Sequence, residues 1–182
     1  MRTIIAMTGA SGIIYGVDFL KCCPGEKYLV ISDWGKGVLK METGLTPEDL
    51  APHSSKIFSN KELAAPFSSG SNPFDWLVVH PCSISTLAKI AAGIADTLIT
   101  RAAEVALKER RKIILAVRET PLSSIALENA LKLSRAGAIV MPISPPFYTQ
   151  PKSLEDTYRD FSNKILRLMG VEVPGGWREE GL

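Results

Sequence analysis

The sequence predicts one α/β domain that spans residues 1–182, with a doubly wound parallel sheet between two layers of helices. The first observation is an alternation of short Val-, Ile- and Leu-rich runs with segments of helical periodicity, which is typical of βαβ units. The second is the run from Ile113 to Val117, which is apolar on both faces and suits an interior strand of a parallel sheet. The third is that polar residues follow the predicted strands, at the edge where open α/β sheets bind ligands.

The first predicted unit is a strand at residues 3–7, a glycine-containing turn and a helix at residues 13–20. Gly9 and Gly12 allow a sharp turn, Ser11 adds a hydroxyl, and the helix N-terminus offers free N–H groups to an anion. The spacing lacks the three glycines of the dinucleotide fingerprint, so a mononucleotide phosphate fits better than NAD. A glycine turn without a ligand is the alternative.

The second unit is a strand at residues 27–31 that ends at Ser32, on the same sheet edge as the glycine turn. A short helix is expected at residues 37–41, and Pro47 is expected in the first turn of another. From residue 51 to residue 73 the periodicity fades, and Ser, Pro, Asn and Gly accumulate. This composition predicts a long functional or mobile loop, not a domain boundary.

A third strand is predicted at residues 75–80, followed by a helix from Ser83 to Ala92. His80 is expected to be a hydrogen-bonded structural residue and Cys82 a small packed one, since no histidine lies close to the thiol in sequence. Simple capping of the helix would need one hydroxyl, whereas several together form a second polar cradle. The first turn of this helix contains Ser83, Ser85 and Thr86.

The fourth unit predicts a helix, the strand at residues 113–117 and a charged corner. Arg101 and Lys108 are seven residues apart in the helix and therefore share a face. Arg118 and Glu119 follow the strand directly, at the edge where α/β proteins bind ligands. A surface salt bridge between Arg118 and Glu119 is the alternative to a functional role.

The last units are a helix at residues 123–135, a strand at residues 138–141 and a long helix that Ser153 caps. The prolines between residues 142 and 151 predict an extended segment that holds Tyr148 at the strand-end edge. The C-terminal helix and tail, residues 153–182, are expected to pack on a neighbouring subunit, since the polar tail contains Trp177.

Composition narrows the function classes. A net charge of +2, with acids interleaved among the basic residues, gives no support for nucleic-acid binding. Three cysteines form neither a disulfide framework nor a metal-ligand spacing, so we expect a reducing cytoplasm and no metal. No apolar run reaches membrane-spanning length, so no membrane association is expected.

Five segments of the chain carry a recognisable motif set: residues 7–12, 81–83, 101–111, 118–121 and 147–148. In their order, and over nearly the whole chain, they resemble the motifs of the UbiX-like flavin prenyltransferases. The resemblance implies a Rossmann-like flavoprotein fold and a large homo-oligomer, commonly a dodecamer, with active sites where subunits meet. It implies transfer of a dimethylallyl group from dimethylallyl phosphate to N5 and C6 of reduced FMN, without a metal. The product, prenylated FMN, would serve UbiD-like decarboxylases.

The same resemblance implies roles for particular residues. Glu119 is similar to the acid/base residue of the family and Glu42 to a second carboxylate near the phosphate, with Lys108 and Ser11 completing the catalytic set. FMN-binding positions are matched by Gly9, Ala10, Ser11, Ser32, Ser83, Ile84, Ser85, Thr86 and Arg118. Positions that bind the dimethylallyl phosphate are matched by Tyr148, Lys164, Arg101, Lys108 and Arg118.

Two departures from the family pattern and three alternative functions accompany this resemblance. Many members have arginine where Lys164 stands, so a bidentate phosphate contact becomes a point charge. Some have tryptophan where Leu63 stands, so a surface that stacks on the prenyl group is lost or is supplied by Trp177. A flavin-dependent decarboxylase of the same fold group would need a catalytic histidine and a Pro-x-Met-Asn segment. An aromatic acid decarboxylase is a second enzyme alternative. A non-catalytic flavin-binding protein would leave Glu119 unexplained.

Overall fold

A six-stranded sheet, in which every neighbouring pair is parallel, forms the centre of the molecule. The structure is a computed structural model and describes residues 1–173. The strand order is β3-β2-β1-β4-β5-β6. Successive strands are therefore added on one side of β1 up to β3 and on its other side from β4 onwards. This is the doubly wound arrangement that the sequence predicts. The strands are β1 (Arg2–Met7), β2 (Glu26–Ile31), β3 (Lys56–Ser59), β4 (Trp76–Cys82), β5 (Lys112–Val117) and β6 (Ile139–Pro142).

Strand β3 lies inside the segment that the sequence predicts to be a loop, and that prediction is wrong for residues 56–59. The strand has four residues and pairs with β2 on one side only, as the edge of the sheet. Only Phe58 in it is fully buried, whereas Lys56 and Ser59 are exposed. A strand with one deeply buried side chain has too little alternation to be recognised by periodicity.

Residues 1–173 contain six α-helices, of which five lie between strands and the last follows the final strand; serine side chains cap four of their N-termini. Ser32 accepts a hydrogen bond from the N–H of Gly35, so α2 begins four residues before the predicted start at residue 37. Around Pro47 the chain forms a 3-10 helix, Glu48–His53, with Pro52 inside it. The helices are α1 (Ile13–Cys22), α2 (Asp33–Thr43), α3 (Ile84–Ala91), α4 (Leu98–Lys108), α5 (Ser124–Arg135) and α6 (Leu154–Leu168).

Two apolar cores, one on each face of the sheet, give the three predicted layers. Along β1, Ile4 and Ala6 face one core while Ile5 and Met7 face the other, because side chains alternate along a strand. Helices α3, α4 and α5 cover the first core, and α1, α2 and α6 cover the second. None of the helices in residues 1–173 has the length and apolarity that crossing a membrane requires.

The C-terminal helix α6 packs on α1 of the same chain. Phe161 and Ile165 are buried in the core beneath it, and Arg159 donates to both carboxylate oxygens of Asp18 at 2.8 to 3.2 Å. The capping of α6 by Ser153 is confirmed, with Asp156 completing a capping box. Contact of residues 153–182 with a neighbouring subunit stays a prediction, and Trp177 lies outside the described residues.

Candidate active site

The glycine turn after β1 is closed by contacts from α2. A Cβ atom on Gly9 would stand 2.6 Å from the Cβ of Trp34, so only glycine lets the two segments pack this closely. Gly12 has a φ of 84°, in the left-handed region that favours glycine. The N–H groups of Gly12 and Ile13 donate to a Glu42 carboxylate oxygen at 2.9 and 3.1 Å. The N-terminus of α1 therefore already holds an anion, one that the chain supplies.

A second turn, between β4 and α3, is fastened to the first by Thr8. The buried Thr8 hydroxyl donates to the carbonyl of Pro81 at 2.9 Å and accepts from the N–H of Ser83 at 2.7 Å. Ser83 in turn accepts from the N–H of Thr86 and donates to its hydroxyl at 3.0 Å. The two turns are therefore held as one unit, with the N-terminus of α3 next to the glycine turn.

A cleft of about 260 Å³ opens between these turns at the carboxyl edge of the sheet. Five residues predicted for an FMN site line it together: Gly9, Ser32, Ser83, Ser85 and Thr86. The structure brings these residues together from β1, β2 and β4, which end side by side in the sheet. Of the other predicted FMN positions, Ala10 is buried and Ser11 exposed in the glycine turn, and neither they nor Ile84 and Arg118 are among the lining residues.

Further residues line this cleft that the sequence analysis did not identify. Asn60 follows the unrecognised strand β3, and its side chain accepts from the N–H of Ile99 at 3.1 Å. Thr97 caps α4 in a capping box with Thr100, which lacks the Glu or Gln of the usual sequence signature. Trp34 is 80% exposed in the first turn of α2. The complete set of additional residues is Trp34, Asn60, Lys89, Thr97, Ile99 and Thr100.

The donor groups in the cleft fit a phosphate monoester joined to a polar planar ring. Hydroxyls of Ser32, Ser85 and Thr86 surround the N-terminus of α3, whose N–H groups and dipole favour an anion. Lys89, which also lines the cleft, pairs with Asp96 at 2.6 Å, so a lysine charge is already present at the cleft. Glu42 occupies the N-terminus of α1 and Asp33 lies in the first turn of α2, whereas the first turn of α3 has no acidic residue and can receive a phosphate.

The charged corner after β5 lies beside this cleft. The N–H of Arg118 donates to the carbonyl of Cys82 at 3.2 Å, which places Arg118 next to the turn before α3. Both Arg118 and Glu119 have exposed side chains, and Glu119 accepts from the N–H of Thr120 at 2.9 Å. Among the ion pairs of residues 1–173 none joins Arg118 to Glu119, so the simple salt-bridge alternative does not hold.

The cations predicted for the dimethylallyl phosphate do not converge within one chain. Arg101 donates to the carbonyl of Ser68 at 2.9 Å and pairs with Glu104 at 2.6 Å. Lys108 ends α4 near the start of β5, whereas Arg118 follows the end of β5, about 17 Å away along the strand. A single chain therefore cannot place Lys108 and Arg118 on the same phosphate.

Two further predicted residues lie on the surface at other places. Tyr148 follows β6 and is 51% exposed, beside Phe147, which is 76% exposed. Lys164 is exposed on α6, on the side of the sheet that α1 and α6 cover. The donor-binding residues thus come from four separate elements of the chain and present their side chains to the outside.

His80 and Cys82 are structural, although one detail of the prediction is wrong. His80 is fully buried against the rings of Tyr15, Phe19 and Phe161, and neither ring nitrogen has a hydrogen-bond partner. Burial lowers the pKa of His80 to about 3, against the opposing effect of the Asp18 charge. Burial also raises the pKa of the Cys82 thiol to about 12, so it is no thiolate nucleophile at neutral pH. No cluster of three or more His, Cys, Asp or Glu side chains suited to a metal occurs in residues 1–173.

Known proteins match this chain over nearly its full length. The sequence model of the Flavoprotein family matches residues 1–159. A flavin prenyltransferase UbiX from Thermoplasma acidophilum is 49% identical over 172 residues, which are 94% of this chain and 96% of that protein.

Two solved structures are similar in fold as well as in sequence. One, AnUbiX in complex with FMN and dimethylallyl pyrophosphate, has a TM-score of 0.92 and 39% identity, covering 97% of this chain and 98% of that one. The other is a dodecameric FMN-dependent UbiX-like decarboxylase from Escherichia coli, with a TM-score of 0.94 and 42% identity, covering 98% and 99% of the two chains.

Proposed function

Because the chain belongs to the Flavoprotein family and, within it, to the UbiX-like flavin prenyltransferases, we propose that its strand-end cleft holds reduced FMN for prenyl transfer. The enzyme joins a dimethylallyl group from dimethylallyl phosphate to N5 and C6 of the flavin. The observation that carries the assignment of the cleft is the meeting of Gly9, Ser32, Ser83, Ser85 and Thr86 in it.

The FMN phosphate, in this proposal, binds at the N-terminus of α3. Ser83 donates to the Thr86 hydroxyl and accepts from the Thr86 N–H, which leaves the hydroxyls of Thr86 and Ser85 and the N–H groups of Ile84 and Ser85 to bind the anion. Gly9, Ala10, Ser11 and Ser32 surround the remainder of the molecule from the neighbouring turns, and Ile84 and Arg118 flank it. Bound reduced FMN supplies the two nucleophilic positions at which the new bonds form.

The dimethylallyl phosphate binds at the exposed corner beside the cleft. Breaking its allylic C–O bond leaves the electron pair on the phosphate, and fixed cations stabilise that charge. Arg118 provides one of them from the chain that holds the flavin. We assign the others to Lys164, with Tyr148 as a hydrogen-bond donor, and to Arg101 and Lys108.

Glu119 transfers protons in this mechanism. Its exposed carboxylate stands one residue from Arg118, so it can exchange a proton with the departing phosphate and accept the one that leaves flavin C6. Glu42 holds the glycine turn by two N–H groups, and this contact keeps Ser11 in place at the edge of the site.

We further propose that neighbouring subunits of a homo-oligomer complete the active site, and that this oligomer is a dodecamer. Lys108 lies too far from Arg118 in one chain, and Arg101 is held by Ser68 and Glu104, so a second chain is proposed to bring both cations to the phosphate. The exposed Trp34, Phe147 and Tyr148 would be covered in such an assembly, which also excludes water from the allylic cation.

The acceptor of the product and the location of the enzyme are also proposals. Prenylated FMN is a cofactor, so a decarboxylase of the UbiD type is proposed to receive it. A reducing cytoplasm suits the three cysteines Cys22, Cys23 and Cys82, which are free thiols.

The proposed activity is tested by one anaerobic reaction. Purified protein is mixed with reduced FMN and dimethylallyl phosphate, and in parallel with the diphosphate, and the flavin is weighed by mass spectrometry. A flavin heavier by one prenyl unit is expected. An unchanged flavin, together with release of carbon dioxide from an added aromatic acid, would favour a decarboxylase instead.

A further inference from the structure

A second pocket, of about 300 Å³, opens at the amino edge of the sheet, at the opposite end of the strands from the flavin cleft. Its walls come from the starts of β1, β2 and β3 and from the loop at residues 66–74, and it shares no lining residue with the cleft. A volume of about 300 Å³ is large enough to hold a molecule with one six-membered ring. It is lined by Arg2, Ile4, Tyr28, Lys56, Phe58, Pro66, Phe67, Asn72, Pro73 and Phe74.

Aromatic rings form most of the floor of this pocket. Tyr28, Phe58 and Phe67 are in mutual contact, with ring centroids 5.0 to 6.3 Å apart. The Phe58 and Phe67 pair is nearly perpendicular, at 82°, so one ring presents its edge to the face of the other. Aromatic guests bind to such an arrangement by the same edge-to-face and stacked contacts.

The charges on the rim are not balanced. Arg2 pairs with Glu26 at 2.9 Å and donates to the carbonyl of Pro73, and the Arg2 guanidinium lowers the pKa of Glu26. Lys56 stands 4.4 Å from the centroid of Phe58 and forms no ion pair anywhere in residues 1–173. One uncompensated positive charge therefore lies at the mouth of an aromatic pocket, where it favours an anion.

The loop that forms one wall is held firmly in place. Arg111 donates to the carbonyls of Gly70 and Asn72, and its guanidinium lies 4.6 Å from the ring centroid of Phe74. The Asn72 side chain donates to the carbonyl of Pro66 at 2.9 Å, closing the loop on itself. A pocket with a fixed wall loses little conformational entropy when it is filled, which favours binding.

We propose that this pocket binds a small aromatic carboxylate, with the ring among Tyr28, Phe58 and Phe67 and the carboxylate on the ammonium of Lys56. The site is independent of the flavin cleft, and the proposal does not rest on the proposed function. The pocket offers one cation at its mouth and an apolar floor. An uncharged ring would lack the contact with Lys56, and a carboxylate without a ring would lack the contacts with the aromatic side chains.

The test uses FMN-loaded protein, so that the flavin cleft is already filled, and benzoate as the probe. Binding is measured by titration calorimetry, with benzamide and acetate as the uncharged and the ringless comparison. We expect saturable binding of benzoate with a Kd of about 1 mM or tighter. Benzamide and acetate should each bind at least roughly tenfold more weakly than benzoate. Absence of saturable benzoate binding up to about twenty times that concentration overturns the proposal.

Two lysine variants locate the site. Lys56→Met keeps the aliphatic stem and removes the charge, so benzoate affinity should fall roughly tenfold, whereas Lys56→Arg should retain most of it. Lys61→Met is the matched control. Lys61 is an exposed lysine two residues after β3, the strand that contains Lys56, and Lys61 does not line the pocket. Equal affinity for Lys56→Met and Lys61→Met would contradict the assignment.

Hydrogen exchange gives an independent position for the bound probe. Benzoate should slow exchange in the wall at residues 66–74 and leave the turns at residues 9–12 and 83–86 unchanged. Protection at those turns, with none in the wall, would mean that the probe occupies the flavin cleft and would refute the second site.

Discussion

The two halves of the proposed active site differ in how far a single chain completes them. On the flavin side, Thr8 joins the turns after β1 and β4 by buried hydrogen bonds, and the predicted residues line one cleft. On the donor side, Arg118, Tyr148 and Lys164 are exposed, and Lys108 lies at the far edge of the sheet.

This difference follows from how each half is held. Strand ends meet at one edge of a parallel sheet because backbone pairing places them there, so residues that follow them directly come together in any such fold. Helix surfaces and long connections have no comparable constraint. We therefore propose that the donor side depends on contacts with a neighbouring subunit, and changes to the two halves should affect different measurements.

The largest expected effect belongs to Glu119→Gln, which keeps the shape of the side chain but cannot accept a proton. We expect FMN affinity and assembly to stay normal and turnover to fall by about 10²–10⁴-fold, the usual contribution of general acid-base catalysis. Rates are followed by mass spectrometry of the flavin. Formation of prenylated FMN at the normal rate would mean that Glu119 only orders the corner around Arg118.

A smaller effect is expected for Lys164→Ala, because one phosphate contact is lost while the others remain. The KM for dimethylallyl phosphate should rise by roughly 10- to 100-fold, as expected for a hydrogen bond to a charged group. FMN binding, measured by its visible spectrum, should not change.

Conservative variants of Lys164 sharpen this comparison. If the lysine acts as a point charge, Lys164→Arg should be tolerated better than Lys164→Met. Equal loss of flavin binding and donor saturation would place Lys164 in the flavin half of the site, against the division described above.

On the flavin side, the buried His80 should make the stability of the fold depend on pH. Its pKa is lowered from 6.5 to about 3 by burial, so below pH 6.5 the unfolded chain takes up a proton that the folded chain does not. Unfolding free energy should therefore fall as the pH decreases through about 6.5, with a slope that approaches about 1.4 kcal/mol per pH unit near pH 5.

This prediction is checked by denaturant unfolding at about pH 7 and about pH 5, for the natural chain and for His80→Phe. The variant should lose most of the difference between the two conditions, because phenylalanine does not titrate. A pH dependence that is unchanged in His80→Phe would assign it to the carboxylates.

The smallest expected effect concerns the serine hydroxyls that line the flavin cleft. The Ser85 hydroxyl lines the cleft and makes no hydrogen bond to the rest of residues 1–173. Ser85→Ala should therefore weaken FMN binding by roughly 3- to 10-fold and leave the stability of the fold unchanged. Ser83→Ala also removes the cap of α3, so it should in addition lower stability by about 1 kcal/mol. FMN titration and thermal unfolding of the two variants separate these effects; equal stability loss in both would contradict the separation.

How much of the site the sequence predicts depends on distance along the chain. Ser32 and Ser83 follow their strands directly and Gly9 stands two residues after its strand, so the position of each at the carboxyl edge could be predicted from strand periodicity alone. Asn60 escaped prediction because the four-residue strand before it has only one fully buried side chain. Trp34 escaped because its packing on Gly9 joins two strand ends, a relation that no local pattern contains.

Local patterns by themselves determined the strands of the doubly wound sheet other than β3, the caps of α3, α5 and α6, and the hydroxyl-rich turns, because each depends on residues within a few positions. Tertiary structure alone decided three other matters. Glu42 occupies the N-terminus of α1, His80 is buried without a hydrogen-bond partner, and Trp34 packs on Gly9. Each is a relation in space between segments that meet only after the helices pack on the sheet, and packing depends on complementary surfaces that a one-dimensional pattern does not specify.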